Sequence, residues 1–264
     1  MKNNYSIAIR AALEAGRAIM EVYGGEDFGI EVKEDHSPLT LADQQAHAII
    51  TNHLESTGIP VLSEEGRHLP YSERSSWDRF WLVDPLDGTK EFINRNDEFT
   101  VNIALVEEGK ALFGVVFAPA IKELYFGIPA MGAYRCRKEK NFAQPLDYLL
   151  QFSDPLPLEV PAEKLFRVVA SRSHYNDETR QYVESIDTGG REISLVSKGS
   201  SLKLCLVASG EADIYPRLGP TMEWDTAAAH AVVKASGKNV YRVDTGEELY
   251  YNKQNLLNPY FVVK

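Results

Sequence analysis

The twelve residues Trp81-Leu82-Val83-Asp84-Pro85-Leu86-Asp87-Gly88-Thr89-Lys90-Glu91-Phe92 restrict the fold more than any other part of the chain. Three apolar residues run directly into an acid, the pattern of a buried strand ending at a polar site. Pro85 fixes φ and lacks an N–H, and Gly88 permits a tight backbone, so a sharp turn is expected there. Thr89 to Ile93 then suits the start of a helix. Asp84 and Asp87 thus stand at a strand end, just before a helix N-terminus. Carboxylate oxygens are the ligands that hard divalent cations prefer, and free N–H groups at a helix start receive anions. A β-turn with solvated aspartates fits the same four residues, so the choice rests on their neighbours.

The chain has 264 residues, enough for a large core in one domain or two packed lobes. A net charge of −10 argues against a broad nucleic-acid-binding face. It leaves an anionic small substrate open, because a bound metal reverses the local sign. Cys136 and Cys205 lack metal-ligand spacing and read as reduced thiols of a cytoplasmic protein. The N-terminus has no signal-peptide pattern, and no apolar run is long enough to cross a bilayer.

The helical spacing of Ile7, Ala11, Ala15, Ala18, Ile19 and Val22 predicts a helix over Tyr5 to Tyr23, stopped by Gly24-Gly25. A short strand is expected over Ile30 to Lys33 and a turn at Asp35-His36-Ser37-Pro38. Thr40 reads as the N-cap of a second helix, with Asp43 as the acidic half of a capping box. That capping role accounts for Asp43; so does a place in the same site as Asp84. Val61-Leu62-Ser63 leads into Glu64-Glu65, a second strand delivering acids. Phe99 to Val106, Ala111 to Phe117, Glu123 to Phe126 and Gly132 to Cys136 read as antiparallel strands. The first half is therefore α+β. Residues 138–163 are richer in proline and read as the connection between lobes. Strands at 166–170, 193–196 and 212–215 alternate with helices at 177–186, 202–209 and 225–235, which makes the second half α/β. Residues 240–264 read as a hairpin and tail.

Three acidic stations result: Glu64-Glu65, Asp84 with Asp87, and Asp225 in Trp224-Asp225-Thr226. Taken in this order, the E-E pair, D-P-L-D-G-T and W-D resemble the fingerprint of the inositol-monophosphatase-like family of magnesium-dependent phosphatases. Within it, Leu82 to Phe92, Ser171-Arg172-Ser173-His174, Gly199-Ser200-Ser201-Leu202-Lys203 and Tyr215-Pro216-Arg217-Leu218-Gly219-Pro220 are similar to the CysQ-type 3'(2'),5'-bisphosphate nucleotidase branch. The resemblance covers essentially the whole chain. It implies a layered α-β-α-β-α sandwich, one phosphatase domain over 1–264 with an α+β lobe at 1–145 and an α/β lobe at 160–264.

The resemblance also implies roles. Glu64 and Asp84, with the Leu86 carbonyl, would hold a first Mg²⁺, and Asp84, Asp87 and Asp225 a second, with a third ion near Glu64. The N–H groups of Gly88 and Thr89 would hold the phosphate, and the Thr89 hydroxyl, paired with Asp43, would orient the attacking water. His174, Ser200, Lys203 and Arg217 would contact the nucleotide or its second phosphate. From the residues alone, Ser200 is equally a helix N-cap, and Lys203 and Arg217 equally surface charges.

The implied reaction is hydrolysis of 3'-phosphoadenosine 5'-phosphate to AMP and phosphate, with its 5'-phosphosulfate analogue as a second implied substrate, a role in sulfur metabolism and sensitivity to lithium. An inositol or sugar phosphatase, and a non-catalytic phospholigand-binding or regulatory protein, are the alternatives. The implied partner is a small phosphorylated nucleotide rather than a nucleic-acid polymer. The sequence does not choose between a monomer and a homodimer. The expected location is the cytoplasm. Some relatives lie against the inner face of the inner membrane, for which no basic amphipathic segment speaks here.

Overall fold

The structure is a computed structural model that describes residues 2–33, 38–142, 144–159, 165–170 and 176–264. The N-terminal segment forms α1 (Lys2–Tyr23), which buries Ala8, Ala11, Ala12 and Ala15 along one side. Small side chains there let the helix lie close to its neighbours. Strands β1 (Glu31–Val32) and β2 (Pro38–Leu39) pair antiparallel and lead into α2 (Leu41–Glu55). Next come β3 (Val61–Ser63), α3 (Tyr71–Arg74), β4 (Arg79–Asp87), α4 (Thr89–Ile93), β5 (Thr100–Glu107), β6 (Lys110–Ala118), β7 (Glu123–Ile128) and β8 (Gly132–Cys136). A connecting region holds α5 (Leu146–Gln151) and β9 (Asp154–Leu156). The second half contains β10 (Leu165–Ala170), α6 (Asp177–Glu184), β11 (Glu192–Ser197), α7 (Leu202–Ala208), β12 (Tyr215–Arg217), α8 (Glu223–Ala235), β13 (Val240–Arg242) and β14 (Phe261–Val263).

A seven-stranded sheet runs β3-β4-β5-β6-β7-β8-β9. Its β3–β4 pair is parallel and its remaining pairs are antiparallel. In the second half β10 and β11 are parallel, and β12-β14-β13 is antiparallel. The bridge between Val168 and Ile214 joins these two sets. Alternation along β4 shows how the large sheet divides the core, since successive side chains point to opposite faces. Trp81 and Val83 pack with α1 and α2, while Phe80 and Leu82 pack with Cys205, Val207, Ala228 and Val232 of α7 and α8. A third cluster, Phe166, Val168, Val183, Ile214 and Val262, lies between the second set of strands and α6. The layers are therefore helices, sheet, helices, strands, helix, the α-β-α-β-α sandwich expected from the sequence. No helix among the described residues is long and apolar enough to cross a membrane.

Several local expectations change. The strand read as ending near Asp84 continues to Asp87, with an irregular register between those residues. Pro85 is accommodated there because the ladder to β5 is interrupted. Residues 138–163 are not a plain connection: β9 adds a seventh strand beside β8. The strand expected at 212–215 forms at Tyr215–Arg217. In the C-terminal part, β14 lies between β12 and β13, so the tail is the centre of its sheet. The turn expected at 35–38 lies outside the described residues except for Pro38, which belongs to β2.

Helix α8 approaches the large sheet closely enough to require glycine. A Cβ on Gly114 would lie 2.0 Å from the Ala228 carbonyl oxygen, and one on Gly127 would lie 2.6 Å from that of Ala231. Both contacts are with backbone, so relief requires α8 to move. Gly114→Ala is expected to lower stability by about 2–3 kcal/mol or more. Urea denaturation followed by fluorescence tests this, with a lower midpoint at unchanged slope as the expected result.

Candidate active site

The end of β4, the start of α4 and the starts of α2, α7 and α8 meet at one place. The parallel pairing of Ser63 with Val83 sets two strand ends side by side, and the Glu64 N–H donates to the Val83 carbonyl at 3.0 Å. Glu64 and Asp84 are thus neighbours by sheet register. Asp225, in the first turn of α8, completes the group: carboxylate oxygens of Glu64, Asp84 and Asp225 lie within 4.8 Å of one another. Asp84 is buried, whereas Glu64, Asp87 and Asp225 are half-buried. Three hard oxygen donors at this separation fit a divalent cation such as Mg²⁺.

The positions around this group are also defined. The Asp84 carboxylate accepts from the Leu86 N–H at 3.1 Å. Asp87 accepts from the Ser201 N–H at 2.6 Å. Gly88 caps α4 with φ of +93°, a conformation that a residue with a side chain rarely adopts. Thr89 Oγ1 lies 3.3 Å from Asp43 Oδ1 and 3.2 Å from the Leu86 carbonyl oxygen. Asp43 uses its other oxygen to accept from the Thr40 N–H at 2.7 Å and the Thr40 hydroxyl at 2.5 Å. Its capping role and its place in the site therefore coexist, one on each carboxylate oxygen.

Three of the four residues expected to contact a nucleotide, Ser200, Lys203 and Arg217, meet in a neighbouring cavity of about 130 Å³ that Asp87, Gly88 and Asp225 also line. Lys203 and Arg217 are buried, so they are not surface charges. Ser200 is not the N-cap: Ser201 caps α7, and Ser200 has φ of +46° with its hydroxyl 2.9 Å from that of Thr100. His174 lies outside the described residues.

Electrostatics single out the same region. Burial pushes Asp84 well above the usual carboxylate range, reinforced by repulsion from Glu64 and Asp87. Burial and repulsion from Asp87 do the same to Asp225. Asp87 rises to about 6, because burial outweighs Lys203 and the Ser201 N–H. Burial raises Glu64 against the attraction of Lys33, and raises Asp43 against its bonds from Thr40. Lys203 is lowered by burial, partly offset by Asp87. A cation near the acids would relieve these costs.

Sequence reasoning missed several contributors. Lys33, just after β1, donates to Glu64 Oε1 at 2.9 Å and also to Glu65. Its only sequence signal is a lone cation ending a short strand ahead of the acids. Fully buried Glu223 accepts from the Asn252 N–H at 2.7 Å, the Lys253 N–H at 2.9 Å and Lys253 Nζ at 2.6 Å. Buried Arg74 joins that loop through Asn252 Oδ1 at 2.8 Å and the Gln254 carbonyl at 3.1 Å. These bonds anchor the start of α8, and with it Asp225. Glu223 adjoins Trp224-Asp225 in sequence, but nothing in the spacing reveals its partners.

A carboxyl whose folded-state pKa is raised favours the fold below its unfolded value, and that contribution is lost as pH rises through the folded value. In EDTA, stability should therefore fall from about pH 4 through about pH 6 as Asp87 ionises, and go on falling at higher pH as its more strongly shifted neighbours Asp84 and Asp225 ionise. Thermal melting should show this fall, Mg²⁺ should reduce it, and Asp84→Asn should flatten it in EDTA.

The chain matches the inositol monophosphatase family model over residues 1–260. It is 44% identical over 255 residues to the 3'(2'),5'-bisphosphate nucleotidase CysQ of Salmonella typhimurium, covering 96% of each chain. It is 33% identical to the Haemophilus influenzae protein of the same name, covering 96% of this chain and 89% of that one. The crystal structure of CysQ from Bacteroides thetaiotaomicron superposes with a TM-score of 0.92 at 47% identity, covering 100% of this chain and 97% of that one. Matched by the family model, by relatives of this identity and by a crystal structure over nearly its full length, the chain belongs to the inositol monophosphatase family.

Proposed function

We propose that the chain is a Mg²⁺-dependent 3'(2'),5'-bisphosphate nucleotidase that hydrolyses 3'-phosphoadenosine 5'-phosphate to AMP and phosphate. The observation that carries this reading is the junction of two unlike sites. The oxygen cluster of Glu64, Asp84 and Asp225 adjoins a cavity whose wall includes the buried cations Lys203 and Arg217. A monophosphate needs only the first; a bisphosphate uses both. The names of the nearly full-length relatives support the same substrate class.

In this reading the domain has two packed lobes, 1–145 and 160–264, that meet at the site. Glu64, Asp84 and the Leu86 carbonyl would hold one ion, Asp84, Asp87 and Asp225 would hold a second, and Glu64 would take part in holding a third. Bound Mg²⁺ supplies Lewis-acid stabilisation of phosphoryl charge and makes water more acidic. The protein's own part is orientation. The Gly88 and Thr89 N–H groups hold oxygens of the scissile phosphate. Thr89 donates its hydroxyl proton to Asp43 and turns a lone pair toward the attacking water. Because Asp43 is already held by Thr40, this pair is fixed before substrate arrives. Water adds to phosphorus opposite the 3'-oxygen, the P–O3' bond breaks, and a proton from the water ends on the departing 3'-oxygen. Lys203 and Arg217, with Ser200 and His174, hold the 5'-phosphate and nucleoside.

Thr89→Ala should lower kcat by about 10²–10⁴-fold, with little change in thermal midpoint, because it removes proton orientation alone. Lys203→Ala should lower kcat/KM for 3'-phosphoadenosine 5'-phosphate about 10-fold or more beyond its effect on adenosine 3'-monophosphate. Steady-state phosphate release on both substrates tests this; equal losses would contradict the bisphosphate assignment.

A further inference from the structure

Glu91 shares the cavity wall with the acids Asp87 and Asp225 and the cations Lys203 and Arg217, and, unlike those four, it has no task in the proposed reaction. It lines the same cavity as Lys203, Arg217 and Gly88. Its carboxylate has no hydrogen-bond or salt-bridge partner among the described residues, and it is not held as a helix cap: α4 is capped by Gly88 without a side-chain bond. The side chain is nevertheless positioned. A Cβ on Gly199 would lie 2.9 Å from Glu91 Cγ, so the stem packs against the loop that opens α7. A Cβ on Gly88 would lie 3.4 Å from Glu91 Oε2, so the carboxylate turns back toward the bend that begins α4. Its charge reaches both Asp87, which it raises, and Lys203, which it also raises.

An ionised carboxylate accepts hydrogen bonds and donates none. Next to a bound phosphate it repels, unless the substrate brings a neutral donor to it. We propose that Glu91 is a specificity-determining residue whose carboxylate accepts a hydrogen bond from the ribose hydroxyl vicinal to the phosphate being removed. The inference rests on the nucleotidase reading, which puts the scissile phosphate at Gly88. The donor nearest that phosphate on a nucleotide is the hydroxyl on the adjoining ribose carbon; the base lies beyond it. The same contact serves either isomer, since a 3'-phosphate leaves the 2'-hydroxyl free and a 2'-phosphate leaves the 3'-hydroxyl free. The relatives' name, 3'(2'),5'-bisphosphate nucleotidase, covers that pair.

The test compares phosphate release from 3'-phosphoadenosine 5'-phosphate and its 2'-deoxy analogue by wild type, Glu91→Ala and Glu91→Gln. A hydrogen bond to a charged acceptor predicts a wild-type preference for the ribonucleotide of about 10-fold or more in kcat/KM. The preference should collapse toward unity in Glu91→Ala and be partly kept in Glu91→Gln, whose amide oxygen still accepts. The Gln variant, with its thermal midpoint measured, preserves the test if the Ala variant folds poorly. An unchanged ratio in both variants, or a wild type without ribose preference, overturns the inference while leaving the nucleotidase reading intact. A Glu91-dependent preference for the 6-amino group, measured with the purine riboside bisphosphate, overturns it too. Failure of the wild type to release phosphate from either nucleotide removes the nucleotidase reading and this inference together.

Discussion

Like charges held close in a space with little water are the constraint on which this structure depends. Glu64, Asp84 and Asp225 bring carboxylate oxygens within 4.8 Å of one another, and Asp87 stands beside them. Without a cation, burial and mutual repulsion drive their protons on. Such a cluster favours neither folding nor packing by itself. It becomes favourable when divalent cations take up the charge, and that coupling links the acids' pKa values to the site's chemistry. Lys33 supplies part of this compensation at Glu64 and Glu65, from a residue just beyond β1.

The framework holds these acids by different means. Sheet register fixes Glu64 against Asp84, through the parallel pairing of β3 with β4. The interrupted register after Asp84 carries the chain through Pro85 to Asp87 and into the Gly88 bend. Helix α8 brings Asp225, and its place is set twice. Gly114 and Gly127 let it settle onto the sheet, while Glu223 ties its first turn to the loop at residues 252–253. Asp43 is held by its own capping box, leaving one oxygen for Thr89. Each contact draws on a different part of the chain, so the site requires the whole fold.

The acids and the order of their elements were legible in the sequence because they follow apolar strand patterns or open helices. The central stretch, the Thr40–Asp43 cap and the layered arrangement are local patterns or family fingerprints. What was illegible depends on long-range packing. Lys33 meets Glu64 and Glu65 across the fold, and Arg74 meets the loop at residues 252–254. Ser200 was open to an N-cap reading beside a ligand contact because serine before a helix has that role locally; its left-handed backbone and its contact with Thr100 of β5 are set by packing between distant parts of the chain. The prolines that suggested a plain connection at 138–163 did not reveal β9, a three-residue strand at the edge of the sheet whose pairing supplies the order its sequence lacks.

The central claim is that a cation-dependent acid cluster and a nearby cationic cavity act on one bisphosphate nucleotide. The most direct measurement is phosphate release from 3'-phosphoadenosine 5'-phosphate, inositol 1-phosphate and fructose 1,6-bisphosphate, each with and without Mg²⁺. The account predicts Mg²⁺-dependent release with a large preference for the nucleotide. Mg²⁺-dependent release that favours the inositol or sugar phosphate would contradict the role of the cationic cavity, and the absence of release from all three would contradict the catalytic reading itself.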